Sequence, residues 1–317
     1  MCECGTGAPT WGEQDRRAHP RRLDPERVLA VLDERRGSAL REVIPSTMGE
    51  PLLWAGLDAL VDRCALRGLT LNLTTNGTWP GRGPARWATR LLPVTSDLKI
   101  SWNGATPATA AAVMRGLDLE RAIDDLRLVA AHRDAVASWT GARPTLSFQV
   151  TAQEANVAEL PAIVRLAAAL GVDRVKVNHL QVRFPSLAQA SLLRNRESVA
   201  RWNRAVQLMH AAAEEARSPA GRRVELQNAV ALPHDPAERL PAGPCPFVGV
   251  EAWVLVDGRF APCPHPAAAR GELGDFGSLD RQTLGQAWRG EPLRALADGY
   301  ERHPVCADCA FRRPGGA

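Results

Sequence analysis

"TLSFQVTAQEANVAELPAIVRLAAALGVDRVKVNHLQV", residues 145–182, reads as strand, helix, strand. "TLSFQVTAQ" and "DRVKVNHLQV" are short runs rich in β-branched residues. Between them a helix around Val157–Leu170 is led by an Asn156…Glu159 capping pattern. The same alternation runs upstream. "LREVIPSTM" is a strand that stops at Gly49-Glu50-Pro51, and a helix from about Trp54 to Arg67 follows. Strand "LTLNLTTNG", a short helix near Ala85–Leu92, strand "SDLKISWNG" and a helix from about Leu119 to Arg133 complete the series. Short connections between alternating strands and helices predict a parallel α/β sheet or barrel.

Outside this series, Asp24 is an N-cap with Pro25 in the first turn, opening a helix that carries Val28, Leu29 and Leu32 on one face. "LLRNRESVARWNRAVQLMHAAAEEAR" is an amphipathic helix whose stripe of Val199, Trp202, Val206 and Met209 belongs to the core. "VELQNAVAL" is a further strand. The proline-rich "PHDPAERLPAGP" then marks a boundary near residue 235, giving domains 1–235 and 236–317.

In parallel barrels the chemistry gathers where strands end. Ser46, Thr47 and Glu50 end one strand here and Thr74, Thr75 and Asn76 the next. Ser101 with Asn103, Gln149 with Thr151, and Asn178 with His179 end the others. A rim of neutral hydrogen-bonding groups with one carboxylate suits a polar small-molecule cofactor better than a metal or a phosphate.

The tail carries four of the seven cysteines: Cys245, Cys263 and the C-x-x-C pair Cys306 and Cys309. A C-x-x-C turn points two sulfurs at one metal, and two more thiolates complete a four-sulfur site for zinc or an iron–sulfur cluster. The competing readings are unrelated buried thiols or two disulfides. Asp257-Gly258, inside "EAWVLVDGRFAPC", predicts a hairpin between Cys245 and Cys263, with a helix near "TLGQAWRGEPLRALADG" ahead of the C-x-x-C. Cys64 reads as a core thiol and His265 as an ordinary loop residue.

The totals fit an enzyme-sized globular chain. Its 317 residues are 45% apolar, and a net charge of +4 gives no reason to infer nucleic acid. No apolar run reaches the length of a bilayer span, and the first residues carry no signal-peptide pattern. Seven cysteines without such a signal point to a reducing cytoplasm.

With these residues assembled, the chain resembles the radical SAM enzymes that carry a C-terminal SPASM or twitch domain. "STMGEPLL" is similar to the family's Gly-Gly-Glu-Pro strand end, with Met48 in place of the first glycine. "LNLTTNGT", "LKISWNGATPATAAAVMRG" and "FQVTAQEANVAELPAIVRLAAALGVDRVKV" resemble the strands that follow, and the cysteine-bearing tail resembles the family's own. The resemblance covers nearly the whole length.

It implies a partial (β/α)6 barrel lacking its first strand, plus a small iron–sulfur domain. S-adenosylmethionine would bind against a 4Fe–4S cluster, and an auxiliary 4Fe–4S cluster would sit on Cys245, Cys263, Cys306 and Cys309. Gly49, Glu50 and Pro51 would hold the methionine amino group, while Thr75, Asn76, Ser101 and Asn103 face the ribose and methionyl part. Arg115 would meet the carboxylate. Val177 and Asn178 would lie by the adenine, with Gln149 completing the set.

The family's first cluster uses C-x-x-x-C-x-x-C. Cys2 looks like the third cysteine of that motif, which makes it the catalytic cluster ligand in this chain, with Cys4 a neighbour. The simplest reading is a start placed too late, the first strand and two ligands lying upstream. The implied activity is cleavage of S-adenosylmethionine to a 5′-deoxyadenosyl radical that abstracts hydrogen from a peptide or small-molecule substrate. A flavodoxin- or ferredoxin-like donor would supply the electron, with no nucleic acid or membrane as partner. The alternative is a non-catalytic zinc or iron–sulfur binding protein with a degenerate barrel.

Overall fold

The computed structural model describes residues 23–34, 40–45, 49–182, 184–235, 238, 243–309 and 311–312. Six strands pair in sequence order, each parallel to the next. They are β1 (Glu42–Val43), β2 (Thr70–Thr75), β3 (Thr95–Ser101), β4 (Thr145–Ala152), β5 (Arg174–His179) and β6 (Glu225–Gln227). Helix α1 (Pro25–Asp33) precedes them, and its predicted cap is in place, with Asp24 accepting from the Glu26 amide at 3.0 Å. Crossovers run through α2 (Leu57–Arg67), α3 (Gly83–Leu91), α4 (Pro107–Val113) with α5 (Leu119–Thr140), α6 (Leu160–Ala169) and α7 (Arg196–Glu215). This is the α/β architecture that the alternation predicts.

Period-two alternation divides the sheet into two faces. Leu71, Leu73, Leu98, Ile100, Phe148, Val150, Val175 and Val177 are each at most 3% exposed. They occupy the helix-facing side, where Leu126 of α5 meets Ile100 and Trp102 around a small cavity. Asn72, Thr74, Lys99, Ser101, Ser147, Gln149, Thr151, Lys176 and Asn178 follow the opposite register and make the other face polar. Toward the N-terminal ends of the strands that face is filled by its own partners. Glu42 accepts from Asn72 at 3.0 Å and Ser96 at 2.5 Å, and Asp97 from Ser147 at 2.7 Å and Arg174 at 3.1 Å. Near the C-terminal ends Ser101, Gln149, Thr151 and Asn178 are half-buried.

Two expectations are corrected. The helix after β3 runs on to Thr140, because no breaker intervenes before Gly141, whose φ of 74° ends it. The Asn156…Glu159 pair forms no capping box. A 3-10 turn, Val157–Glu159, precedes α6, and Asn156 gives it no side-chain cap. Both side chains have stronger partners elsewhere, described below.

The chain groups into two compact units. One holds Glu42–Leu53 and Cys64–Asp235; the other joins Pro236–Ala317 to Trp54–Arg63 and to the segment ending at Arg41 that contains α1. In the second unit β7 (Trp253–Val254) and β8 (Phe260–Ala261) form the predicted antiparallel hairpin. Gly258 closes it at φ +84°, a left-handed conformation that favours glycine, with the tip of the Arg27 side chain packed over it. Arg27 also pairs with Asp280 at 2.7 Å, and Glu34 accepts from the Leu284 amide at 2.9 Å. Helices α8 (Pro266–Ala269), α9 (Leu284–Trp288), α10 (Glu291–Gly299) and α11 (Pro304–Ala307) follow. The single helix predicted over 283–299 is two, because Gly290 ends one and caps the next, which opens Glu291-Pro292. Among the described residues no helix is long and apolar enough to cross a membrane.

Candidate functional site

Two groups of predicted residues are assembled, one in each unit. At the strand ends of the first, Glu50 is the organiser. Its Oε1 accepts from Thr75 Oγ1 at 2.7 Å and from the Leu52 amide at 3.2 Å, and its Oε2 from the Asn76 amide at 2.7 Å. The carboxylate therefore ties the end of β1 to the end of β2. An ionised carboxylate offers about four acceptor sites, so one remains for a cation. Gly49 precedes it at φ +85° and Pro51 is buried behind it in a 3-10 turn. Asn76 Oδ1 accepts from the Thr78 amide and hydroxyl at 2.9 and 2.7 Å, leaving the Asn76 side-chain amide exposed.

A second knot joins β3 to β4. Asn103 Oδ1 accepts from the Thr151 amide at 2.7 Å. Asn156, fully buried, donates to the carbonyls of Asn103 and Thr151, each at 3.0 Å, and accepts from the Gln153 amide at 2.9 Å. Glu159 reaches the loop after β3. It accepts from the Ala105 and Thr106 amides at 2.7 and 3.1 Å and from the Thr106 and Thr109 hydroxyls at 2.6 and 2.7 Å. Burial pushes its carboxyl up, but the hydrogen bonds from Thr106 and Thr109 and from the two amides outweigh that and hold it below the usual value. Gly104 lets this loop press onto α4: a Cβ would stand 2.5 Å from the Ala110 nitrogen.

Ser101 and Gln149 are register partners on the polar face, as are Thr151 and Asn178. Asn178 accepts from Asn228 at 2.8 Å. Val177, 1% exposed, is on the helix-facing side, so its backbone alone is turned to a ligand on the polar face. Arg115 is exposed in the turn between α4 and α5, and no hydrogen bond or ion pair joins it to another described residue. Ser46, Thr47, Met48, Cys2 and Cys4 lie outside the described residues.

In the second unit Cys263 follows β8, Cys306 lies in α11 and Cys309 follows it. Cys263 and Cys306 are buried in one apolar core with Val248, Phe260, Phe276 and Leu296, and Cys245 packs against it. All five described cysteines are free thiols, which removes the disulfide reading. Burial pushes the Cys263 thiol up to about 11; the His265 amide pulls it back, and the charges of Cys245, Cys306 and Cys309 push the same way as burial. Cys306 is raised by burial and by Cys309 and Cys245, with Arg312 acting against them. The four thiols thus share one electrostatic environment. Among the described residues no three metal-ligating side chains converge as tightly as a single ion needs, which for zinc means sulfurs about 3.8 Å apart. His265 is spent on structure, its Nδ1 accepting from the Ala267 amide at 3.1 Å as the cap of α8.

Residues 245–310 match the family of SPASM, an iron-sulfur cluster-binding domain. This segment is a SPASM domain. Over most of its length the chain is similar in fold to SuiB from Streptococcus suis. The structure of SuiB bound to S-adenosylmethionine aligns at a TM-score of 0.60 with 12% identity, over 92% of this chain and 65% of that one. SuiB bound to its precursor peptide SuiA aligns at 0.59 with 13% identity, over 92% and 64%. The chain therefore spans less than two thirds of the length of the structures it matches. No curated protein matches the sequence.

Sequence reasoning missed Asn156 and Glu159 as loop ties, and Tyr300 and Arg312 beside the SPASM cysteines. Asn156 and Glu159 stand at the spacing of a capping box, so the local pattern masked their long-range use. For Arg312 the available signal was a basic residue three positions beyond the last cysteine.

Proposed function

We propose that this chain binds S-adenosylmethionine on its polar rim and a 4Fe–4S cluster in its SPASM domain, as a radical SAM maturase of a peptide substrate. The observation that carries the reading is the gathering of Cys263, Cys306 and Cys245 at one apolar core, with Cys309 near enough to act on Cys263 and Cys306, within the segment that matches an iron-sulfur cluster-binding domain. Each raised thiol must lose its proton to bind a metal, and the like charges then need a cationic partner. The match of this segment to an iron-sulfur cluster-binding domain favours a cluster over zinc.

On the rim, Glu50 would receive the methionine amino group through its remaining acceptor site, with Gly49 and Pro51 shaping the turn. Asn76, Ser101, Asn103 and Gln149 would line the ribose and methionyl part, with buried Thr75 positioning Glu50 beside them; Asn178 and the backbone of Val177 would line the adenine, and Arg115 would close on the carboxylate. Asn156 and Glu159 hold Asn103 and its loop in place before any ligand arrives. When bound and reduced, this cofactor supplies hydrogen-atom abstraction. A ligand set for the catalytic cluster is not complete in the sequence, whose cysteines before Cys64 are Cys2 and Cys4. The peptide substrate is favoured because the matching SuiB structure holds a precursor peptide. Glu42–Leu53 and Cys64–Asp235 would carry the barrel, and Pro236–Ala317, grouped with the segment that contains α1 and with Trp54–Arg63, the SPASM domain, with a flavodoxin- or ferredoxin-like donor in the cytoplasm.

Anaerobic reconstitution with iron and sulfide tests this, on the chain as given and on one with C-x-x-x-C supplied ahead of Met1. The expected result is one cluster in the first, two in the second, and 5′-deoxyadenosine from the second alone. Zinc in the tail and no iron in either would replace the proposal with a non-catalytic metal-binding protein.

A further inference from the structure

Arg312 is 8% exposed. Its Nε donates to the Gly243 carbonyl at 2.8 Å and its Nη1 to the Cys306 carbonyl at 3.3 Å. The guanidinium lies 5.6 Å over the ring of Tyr300, whose hydroxyl accepts from the Cys245 amide at 3.2 Å. Among the described residues its carboxylate partner is Glu301, at 3.5 Å and with a side chain 64% exposed. An ion pair open to water at one end is screened and worth little. A buried cation without a strong partner is costly. The residues that meet this need are the SPASM cysteines: Cys306 is bonded to Arg312 through its carbonyl, and Cys245 is joined to it through Tyr300. Four thiolates around a cluster carry the negative charge that the site otherwise lacks.

We propose that Arg312 is the counter-ion of the SPASM cluster and sets its reduction potential. One electron entering the cluster adds one negative charge, with no bond made or broken and no proton moved. A fixed guanidinium favours that added charge and so raises the potential. The two carbonyl contacts hold the charge in place, since the guanidinium donates in a rigid fork. Arg312 is thus a positioning and tuning residue rather than an iron ligand. The inference rests on the cluster assignment made above.

The test uses the full chain reconstituted anaerobically with iron and sulfide, with dithionite as the reductant. Iron and sulfide are counted, and the cluster's midpoint potential is read by redox titration followed by electron paramagnetic resonance. Wild type, Arg312→Gln and Arg312→Lys are expected to hold equal iron. The glutamine variant should titrate at a clearly more negative potential, while the lysine variant, which keeps the charge, stays near wild type. Equal iron with equal potentials in wild type and Arg312→Gln overturns the role of Arg312, as does a lysine variant as negative as the glutamine one. Wild type without iron overturns the cluster assignment instead. Should Arg312→Gln hold no iron, Glu301→Gln decides. Removing the carboxylate that offsets Arg312 should move the potential upward, and an unmoved potential sinks the proposal.

Discussion

The rim and the SPASM cysteines are built on opposite plans. On the rim the organising polar groups already have protein partners: Glu50 has three donors, Asn156 three bonds and Glu159 four. Such a site is shaped before its ligand arrives, and the ligand fills the capacity left over. The cysteines have the reverse arrangement. Cys263 and Cys306 are raised in pKa, and the charges of their neighbours repel. Under the proposed cluster reading, a metal would have to displace those protons before the site is complete. One site pre-orders a ligand's surroundings; the other depends on a ligand for its own order.

The largest expected effect breaks the second plan. Cys263→Ala removes a buried ligand and should reduce reconstituted iron from about four per chain to near zero. Full iron retention in the variant would show that the SPASM site does not use Cys263. On the rim, Asn156→Ala leaves the carbonyls of Asn103 and Thr151 and the amide of Gln153 without their partner. At about 1–3 kcal/mol for a buried unsatisfied group, we expect a loss of about 3 kcal/mol in urea unfolding. A loss under 1 kcal/mol would mean water replaces the side chain and the rim is less pre-ordered than it looks.

Proton linkage separates the two plans by sign. The Glu159 carboxyl is held below its ordinary 4.5, so its stabilisation is complete above that pH and fades as pH falls below it. Glu159→Gln should flatten the acid side of the stability profile; an unchanged acid limb would remove Glu159 from the tie. The Cys263 thiol is raised from 9.0 to about 11, so the metal-free protein holds that stability below pH 9 and loses it as pH climbs toward 11. Thermal melts of the iron-free chain should show this alkaline loss, and iron loading should abolish it. The smallest effect on stability is at Arg115, exposed and unbonded. Arg115→Ala should leave unfolding within about 0.5 kcal/mol of wild type. It should weaken S-adenosylmethionine binding by roughly ten- to a hundredfold, given about 1.5–3 kcal/mol for a charged hydrogen bond. Unchanged binding by calorimetry would leave the ligand carboxylate to another residue.

Local signals in the sequence reached a long way. Strand and helix alternation yields the parallel sheet because each run of Leu, Val or Ile reports its own pleat. Asp257-Gly258 yields the hairpin because a tight turn is decided within four residues. Glu50 was legible as a rim acid from the Gly49-Glu50-Pro51 stop, although the strand before it, β1, ends already at Val43. What stayed hidden is long-range. Asn156 donates to Asn103 across 53 positions, and Arg312 to Gly243 across 69. No periodicity records which distant carbonyl a side chain will meet. Val177 shows a subtler gap, since the strand was legible but the face its side chain takes follows only from the register with β4.

The clasp between Arg27 and Asp280 spans 253 positions of sequence. Closing a loop of that length costs about 5 kcal/mol in chain entropy beyond a constant term. A ribosome adding about 5–20 residues each second leaves the first helix waiting roughly 13–50 s before its partner is made. Through that interval the apolar side of α1 has no finished surface to cover it. Its early residues are therefore clients for whatever holds nascent chains apart, and a gene cut near residue 235 would make a tail deprived of one of its own helices.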